Sequence, residues 1–251
     1  MIKKNLQKLF NLFGYQIKKF NKKKITSDEI IKKNMPPHPI IFDVGANKGQ
    51  SINRFRDLCK DPQIHSFEPL RKEFEFLKQN FKHENIILNN LALGNKNEIK
   101  DFNVSVKSDS SSFYKVNMKT KWIKDRSSKF NVSEKEYVEE TIPVKVTTID
   151  EYVKKNGVKK IDLLKIDAEC HEDKVLEGAL ESIKNIPIDI ILIELRFDDV
   201  YNKYFSFSEI ENFISPKKYR MVSIDLVNDN LFSGLVFAAD VMYFDKKKFN
   251  I

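Results

Sequence analysis

The sequence predicts an α/β fold: a mostly parallel sheet covered by helices on both faces and completed by an antiparallel C-terminal hairpin. Near-continuous apolar stretches of strand length alternate with helical patterns from residue 39 to residue 214, which is typical of parallel strands buried on both faces. The last two apolar stretches, roughly 218–225 and 234–244, are joined by Asn228-Asp229-Asn230, a hairpin signal. The 251 residues are enough for one sizeable core.

Each element of the alternation can be assigned from its periodicity. Strands are predicted at 39–44, 63–68, 86–93, 160–166 and 188–195, and helices at 48–60, 70–81, 172–184 and 207–214. Two further strands are predicted at 98–106 and 142–148. Residues 107–140 between them are polar, rich in Ser and Lys and poorly periodic, so we expect a mobile insertion or lid.

The first 34 residues are predicted to form a basic amphipathic helical extension of the main domain, 35–251. Leu, Ile and Phe recur at helical spacing in residues 1–24, with eight lysines and no acidic residue, and Gly14 interrupts the pattern. The proline-rich stretch 35–39 marks the junction. Two interpretations stay open: the apolar stripe packs on the protein or a second subunit, or the helix lies on an anionic membrane.

Charge and cysteine content limit the classes of partner and the compartment. The net charge is +8, and without the eight lysines of residues 1–24 the chain has equal numbers of basic and acidic residues. A protein that binds nucleic acid usually spreads its positive charge over a folded face, so no nucleic-acid partner is expected. Cys59 and Cys170 are the two cysteines, and neither a signal peptide nor a membrane span is visible. We therefore expect a cytoplasmic protein, with peripheral contact at the inner face of a membrane as the alternative.

A glycine loop, Asp43-Val44-Gly45-Ala46-Asn47-Lys48-Gly49, follows the first predicted strand. Two glycines at a strand-to-helix turn let the backbone bend sharply and bring a ligand close to the amides of the helix N-terminus. Glu68 ends the second strand, where a carboxylate suits the two hydroxyls of a ribose. The loop lacks the third glycine of a dinucleotide oxidoreductase, and Gln50-Ser51 stand where a P-loop requires Lys and Ser or Thr.

Further motifs follow the glycine loop in order along the chain. They are Phe67-Glu68-Pro69, Asn90-Leu91-Ala92-Leu93-Gly94, Ser111-Ser112, Thr148-Ile149-Asp150, Leu164-Lys165-Ile166-Asp167-Ala168-Glu169, Val175-Leu176-Glu177-Gly178-Ala179 and Ile193-Glu194. Through this series, residues 38–195 resemble the FkbM-type methyltransferases. The resemblance implies a Rossmann-like, seven-stranded class I methyltransferase fold. It also implies S-adenosylmethionine as the donor and an O-methylated product, often a sugar or polyketide hydroxyl.

The same resemblance implies a cofactor site made of loops at the strand ends. The glycine loop would hold the methionine part of the cofactor, and Glu68 would bind the ribose. Leu91, Ala92 and Ser111 would lie near the adenine. The full set of implied cofactor residues is Asp43, Gly45, Ala46, Asn47, Gly49, Glu68, Pro69, Leu91, Ala92, Ser111 and Asp167.

Candidate catalytic residues lie in the segment 167–172, after a predicted buried strand, at the sheet edge where open α/β folds bind ligands. Asp167, Glu169 and His171 alternate, so in an extended stretch they share one face. Methyl transfer to a hydroxyl needs an oriented nucleophile and a base, and these three residues are the candidates. Asp167 as a helix cap and Glu172 as a first-turn acid are the structural alternatives.

Cys170 and Glu194 keep other interpretations open. The family usually has Gly where this chain has Cys170, which raises the alternative of a non-catalytic module that binds S-adenosylmethionine. Glu194 ends an otherwise apolar strand, so it is paired, exposed at the edge or functional. Asp167, Glu169 and His171 also offer ligands for a divalent metal, but no further ligand set is visible and no metal ligand is assigned.

The sequence therefore predicts an S-adenosylmethionine-dependent O-methyltransferase that acts on a sugar of a glycan or glycolipid. A methyltransferase acting on a non-carbohydrate small molecule is the alternative within the same class. A nucleic-acid methyltransferase is disfavoured, because the chain has no Asn-Pro-Pro-Tyr-type motif and its charge outside residues 1–24 is balanced.

Overall fold

The computed structural model describes residues 6, 10–14, 25–203, 206–214, 218–228 and 236–249. Its strands are β1 (Ile40–Val44), β2 (Gln63–Phe67), β3 (Ile86–Asn89), β4 (Ala92–Leu93), β5 (Glu98–Ser105), β6 (Val138–Thr147), β7 (Ile161–Ile166), β8 (Ile188–Arg196), β9 (Tyr219–Asn228) and β10 (Val236–Asp245). Its α-helices are α1 (Ser27–Asn34), α2 (Gln50–Leu58), α3 (Arg71–Asn80), α4 (Lys121–Lys129), α5 (Ile149–Asn156), α6 (Glu172–Glu177), α7 (Leu180–Asn185), α8 (Phe207–Phe213) and α9 (Lys246–Phe249).

Seven strands form the main sheet in the order β3-β2-β1-β7-β8-β10-β9. Neighbouring strands are parallel from β3 to β8, whereas β10 runs antiparallel to both β8 and β9. This confirms the predicted sheet and its antiparallel C-terminal hairpin, although Asp229 and Asn230 of the predicted turn lie outside the described residues. Because β1 lies between β2 and β7, its carboxyl end is the position at which such sheets bind ligands.

Helices cover both faces of this sheet, which explains why all six residues of β7 are buried. One core cluster joins Ile31 of α1, Phe55 of α2 and Leu77 of α3 to the sheet. A second cluster, on the other face, contains the apolar sides of α5, α6, α7 and α8. The predicted alternation of strand and helix thus produces a three-layer α/β/α arrangement.

Two predicted elements are divided in the structure. Residues 86–93 form β3 and β4 rather than one strand, and β4 leaves the main sheet to pair with β6 in a second sheet of order β4-β6-β5. The predicted helix 172–184 is broken into α6 and α7 at Gly178. A Cβ at Gly178 would lie 1.9 Å from the carbonyl oxygen of Gly94, so the chain passes too close to its neighbour for any side chain. That carbonyl contact cannot be seen in the local sequence.

The insertion predicted at 107–140 contains regular structure. It has two short 3-10 helices, Ser108–Ser110 and Glu134–Glu136, on either side of α4. Trp122, Ile123 and Tyr137 are buried in the larger core cluster, so the segment is anchored to the domain. Its mobility remains a prediction.

Most of residues 1–24 lie outside the described residues. Residues 10–12 are helical, and Gly14 adopts a left-handed conformation in the turn that follows, at the position where the pattern predicted an interruption. Helix α1, which lies within the predicted extension 1–34, packs on the domain: Ile31 is fully buried, and the Ser27 amide donates to Asp225 Oδ2 (3.0 Å). Within the described part of the chain, no helix has the length and apolar character needed to cross a bilayer.

Candidate active site

A cavity of about 410 Å³ opens at the carboxyl ends of β1, β2, β7 and β8. The glycine loop, Glu68 and Asp167 line it from the sheet side. Ser108, Trp122 and Arg126 of the inserted segment, together with residues of β8 and β10, line it elsewhere. The structure therefore brings the glycine loop and the acids after β2 and β7 to one cavity, as parallel strands dictate.

The glycine loop is packed tightly between the ends of β2 and β7. Gly45 has a φ of +78°, and a Cβ there would lie 1.9 Å from the carbonyl oxygen of Asp167. The Gly45 and Ala46 amides both donate to the Phe67 carbonyl at 3.1 Å. Asn47 has a φ of +44° and its side-chain amide donates to Ser108 Oγ (3.3 Å), which links the loop to the inserted segment. Gly45, Ala46 and Asn47 all line the cavity.

Asp43 and Gly49, also assigned to the cofactor, support the loop from outside the cavity lining. A Cβ at Gly49 would lie 2.3 Å from the Phe81 ring, so this glycine permits packing of α3 against the loop. Asp43 is fully buried, with Oδ1 3.2 Å from Lys165 Nζ. Lys165 also donates to the carbonyls of Val44 (3.1 Å) and Gly45 (2.9 Å).

Lys165 was not among the predicted site residues, although a lysine within the apolar strand β7 was a signal for it. Its Nζ lies 3.3 Å from Asp167 Oδ2 as well as close to Asp43. Burial alone lowers the pKa of Lys165, but the charges of Asp167 and Asp43 outweigh that effect and raise it. A permanent buried cation therefore holds the ends of β1 and β7 together.

Glu68 lies buried at the end of β2 and lines the cavity. Its Oε2 accepts from the Asn47 amide and its Oε1 from the Leu70 amide, each at 2.8 Å. Burial raises the pKa of Glu68 to about 7, against the opposing effect of these two amides. Each carboxylate oxygen keeps a further lone pair, so Glu68 can still accept hydrogen bonds from ligand hydroxyls.

The opposite wall of the cavity is more apolar. Pro69, Ala92 and Ser111, three of the residues predicted to bind the cofactor, line it together with Phe102 and Phe113. Leu91, by contrast, packs against the larger core cluster and is not part of the lining. The proline, alanine and phenylalanine side chains make this part of the lining apolar, which suits an adenine ring.

The segment after β7 turns sharply, so the predicted extended stretch is wrong. Glu169 and Cys170 have φ values of +49° and +70°, both left-handed. The Ala168 amide donates to Glu172 Oε1 (2.7 Å), and Ser112 Oγ donates to the Glu169 carbonyl (2.6 Å). Glu172 begins α6, as predicted, but it is buried and closes this loop, and burial raises its pKa to about 8.

As a consequence of this turn, His171 does not share a face with Asp167 and Glu169. It is buried outside the cavity lining, with its ring centroid 4.4 Å from that of Phe113 and its Nδ1 3.3 Å from the Tyr114 hydroxyl. Burial, with nearby lysines, lowers the pKa of His171 to about 3. A ring that is enclosed away from the cavity and binds a proton this weakly does not fit the role of catalytic base that the alternation suggested.

Asp167 and Glu169 meet a third carboxylate, Glu194, at the end of β8 in the cavity wall. The three acids each offer an oxygen within 4.8 Å of the others. Glu169 Oε2 lies 3.3 Å from the Arg196 guanidinium and accepts from the Tyr201 hydroxyl at 2.8 Å. Glu194, Arg196 and Tyr201 were not among the predicted site residues, although Glu194 had been noted as an unusual acid at a strand end.

Burial and mutual repulsion set the protonation of this cluster. Burial is the largest cause that raises the pKa of Glu169, while Arg196 opposes it. The charge of Asp167 is the largest cause that raises the pKa of Glu194, followed by burial. Glu169 and Glu194 therefore bind protons at a higher pH than isolated carboxyl groups do.

Residues 43–221 match the family model described as the methyltransferase FkbM domain. The chain belongs to the FkbM methyltransferase family. The match includes the glycine loop, Glu68 and all three carboxylates of the cavity, and it ends within β9.

Relatives of this FkbM domain include a curated protein and solved structures. The 2-O-methyltransferase NoeI of Sinorhizobium fredii (strain NBRC 101917 / NGR234) is 25% identical over 182 residues, which span 71% of this chain and 73% of NoeI. A methyltransferase FkbM from Methylobacillus flagellatus KT superposes with a TM-score of 0.50 at 15% identity over 82% of this chain, which spans 43% of that longer chain. An rRNA methylase from Streptococcus thermophilus gives a TM-score of 0.49 at 11% identity, over 90% of this chain and 98% of that one. The likeness of the Methylobacillus structure supports the class I methyltransferase fold.

A divalent metal does not fit the ligand set that the sequence offered to this FkbM domain. Of the three residues in that set, His171 is enclosed away from the cavity, and Glu169 already binds the Arg196 guanidinium. Three carboxylates beside a fixed arginine are not by themselves a metal site. We therefore assign no metal ligand.

Proposed function

We propose that this protein is an S-adenosylmethionine-dependent O-methyltransferase that transfers a methyl group to a hydroxyl of a carbohydrate. The observation that carries the proposal is the single cavity that joins the glycine loop and Glu68 to the carboxylates Asp167, Glu169 and Glu194. The glycine loop and Glu68 have groups suited to the cofactor, and the three carboxylates are suited to a hydroxyl acceptor. Family membership supports the reaction class.

The residues around the cavity fit the cofactor by their chemistry. Glu68 suits the ribose hydroxyls, the apolar wall with Ala92 suits adenine, and the loop from Gly45 to Asn47 suits the methionine part. When bound, S-adenosylmethionine supplies an electrophilic methyl group on a positively charged sulfur. The acids of the cluster lie at the same edge of the sheet as this loop. Their negative charge therefore favours a ligand with a positively charged sulfur.

The carboxylates provide the two functions that methylation of a hydroxyl requires. Glu169 is held by Arg196 and Tyr201, so its geometry is fixed and it is suited to orient the acceptor hydroxyl. A neighbouring carboxylate then takes the hydroxyl proton as the oxygen bonds to the methyl carbon. Asp167 is less suited to that role, because Lys165 is only 3.3 Å from it.

A carbohydrate acceptor is favoured by the relatives of this chain and by two aromatic residues of the cavity lining. NoeI is a 2-O-methyltransferase, which supports transfer to an oxygen, and the resemblance to FkbM-type enzymes implies a hydroxyl that is often that of a sugar or a polyketide. Trp122 and Phe237 contribute aromatic surface near Arg126 and Arg196. Aromatic surface with a few fixed polar groups suits a sugar ring, which has apolar faces and a polar rim.

The inserted segment 107–140 is proposed to act as the lid of this site. Ser108 receives a hydrogen bond from Asn47 of the glycine loop, and Trp122 and Arg126 of α4 line the cavity. Closure over the bound cofactor would exclude water from the reacting groups.

The cofactor site is tested by calorimetry with S-adenosylhomocysteine and S-adenosylmethionine. Glu68→Ala should weaken binding by about 1.5–3 kcal/mol, because charge-assisted hydrogen bonds to the ribose are lost. The variant should also lose stability, since the Asn47 and Leu70 amides lose their acceptor. Asp150→Ala is the matched control: Asp150 accepts from the Glu181 and Ser182 amides away from the cavity, so its loss should lower stability alone. Equal affinity in the native protein and in folded Glu68→Ala would contradict the ribose assignment.

The reaction is tested by turnover on a panel of sugars and non-carbohydrate alcohols, with the methylated product identified by mass spectrometry. Glu169→Gln keeps the shape of the side chain but removes the charge that orients the acceptor hydroxyl, so turnover should fall by about 10²-fold. Methylation of alcohols but of no sugar would replace the carbohydrate proposal. Binding of both cofactor forms without turnover on any acceptor would favour a non-catalytic module.

A further inference from the structure

The three carboxylates of the cavity have fewer cations beside them than are needed to balance their charges. Asp167 Oδ2 lies 3.3 Å from Lys165 Nζ, and Glu169 Oε2 lies 3.3 Å from the Arg196 guanidinium. Among the residues that the structure describes, no nitrogen of Lys, Arg or His lies within 4 Å of the Glu194 carboxylate. Three carboxylates within 4.8 Å of one another therefore face two cations.

The other charged groups near Glu194 do not correct this imbalance. Asp240 of β10 lies opposite Glu194 in the strand register and adds a further carboxylate. Its nearest cation, Arg54 of α2, is 3.8 Å from Asp240. The groups that face Glu194 are thus Asp167 after β7, Glu169 in the following loop, Arg196 on its own strand and Asp240 on β10.

A carboxyl group in this position keeps its proton at neutral pH. Ionisation would place a third negative charge beside two others in a half-buried wall, which costs more than it does in water. In agreement, the charge of Asp167 raises the pKa of Glu194 well above its usual range. Asp167 and Glu169 are the better compensated acids, since each lies within 4 Å of a cation, although Lys165 also pairs with Asp43 and Arg196 with Asp198.

We propose that Glu194 is the base of the methyl transfer, and that it stays protonated until a positively charged cofactor binds beside it. This inference rests on the proposed function. Glu194 ionises when a sulfonium supplies the third positive charge, and its proton passes to solvent. The Glu194 carboxylate then takes the proton of the acceptor hydroxyl as the new oxygen–carbon bond forms and the sulfur–carbon bond breaks, which leaves a neutral thioether. The base is therefore ready only when the methyl donor is present.

The two forms of the cofactor provide the test, because S-adenosylmethionine carries the sulfonium charge and S-adenosylhomocysteine does not. Each is titrated into the protein by calorimetry at about pH 7.5, between the ordinary pKa of Glu and the raised one, in buffers of different ionisation enthalpy. We expect S-adenosylmethionine to release about one proton more than S-adenosylhomocysteine. Equal release would overturn the inference and leave the proposed function standing. Failure of both ligands to bind would overturn the proposed function and the inference with it.

Variants assign the proton to one residue. Glu194→Gln should abolish the difference in proton release between the two ligands while both still bind. Asp240→Asn is the matched control on the neighbouring strand and should preserve that difference. An undiminished difference in Glu194→Gln would overturn the assignment to Glu194.

A measurement without ligand tests the retained proton directly. The unfolded chain ionises Glu194 at its ordinary pKa, while the folded protein keeps the proton. Glu194 therefore lowers the free energy of unfolding as pH rises above that ordinary pKa. Glutamine at position 194 cannot ionise. The Tm of Glu194→Gln should therefore rise relative to that of the native protein between about pH 5 and pH 8. A Tm difference that does not change with pH would contradict a protonated Glu194.

Discussion

Cys170 occupies a left-handed backbone position at which the FkbM-type motif usually has glycine. Its φ is +70°, and its side chain packs in the larger core cluster rather than in the cavity. The departure from the motif therefore affects the strain of the loop and not the chemical groups that the loop presents. Asp167 and Glu169 still reach the cavity in its presence.

Two substitutions at Cys170 separate backbone strain from burial. Cys170→Ala loses the buried sulfur and keeps the strain, because a Cβ remains at positive φ. Cys170→Gly loses one more carbon but relieves the strain, so we expect it to be more stable than the alanine variant by roughly 0.5–1 kcal/mol. Chemical denaturation of both variants measures the difference. A glycine variant that is less stable than the alanine variant would mean that contacts of the Cβ outweigh the strain.

The residues around Glu169 mark the limit of prediction from sequence at this scale. Glu68 and Asp167 could be predicted because each ends a strand, and the ends of parallel strands meet. Arg196 and Tyr201 follow the last recognisable motif, and they reach Glu169 only because β8 lies beside β7. His171 was instead wrongly grouped with Asp167 and Glu169. Alternating residues share one face only while the backbone stays extended, and here it turns.

Among the elements, strands were predicted better than the joints between helices. The strands have local signals, since apolar stretches and turn residues are visible in the sequence itself. The break between α6 and α7 depends on the close approach of Gly178 to Gly94, which belongs to a distant loop. A local helical pattern contains no information about that contact.

The joint between α6 and α7 predicts different effects for two glycine substitutions. Gly178 has an ordinary φ of −79°, so Gly178→Ala acts by collision with the Gly94 carbonyl and should cost about 1–3 kcal/mol or more. Gly157 is the matched control at the end of α5: its φ is +64°, but a Cβ there meets nothing within 4 Å. Gly157→Ala should cost only the backbone strain, about 1 kcal/mol. Equal losses in thermal unfolding would mean that the α6–α7 joint accommodates a methyl group.

For the whole molecule, the location of the net charge predicts where the protein is found. Residues 1–24 contain eight lysines and no acid, and Leu12 and Phe13 are exposed. Each lysine near an anionic lipid surface contributes about 1 kcal/mol, and buried apolar side chains add to that. We therefore propose peripheral binding to the anionic face of a membrane, which would bring a sugar methyltransferase close to glycolipid acceptors.

Vesicle sedimentation tests this proposal. The full chain should sediment with vesicles that contain anionic lipid and much less with neutral ones. The effect should weaken with salt, because the Debye length falls from about 10 Å at 0.1 M to about 3 Å at 1 M. Deletion of residues 1–24 is a clean control, since the capping residue of α1, Thr26, is retained. Aggregation or a changed oligomeric state after deletion would show that the segment packs on protein, and equal binding to both vesicle types would exclude a role for lipid charge.

The two cysteines lie on opposite faces of the main sheet, Cys59 after α2 and Cys170 before α6. Burial raises the pKa of Cys59 to about 11 and that of Cys170 well beyond its usual range, so each thiol reacts with an alkylating reagent when its own surroundings open. The two labelling rates therefore measure how often each face of the sheet unfolds locally. The native chain carries a pair of reporters, one of them in the loop between β7 and α6, whose reaction with that reagent would slow if cofactor binding closes the site.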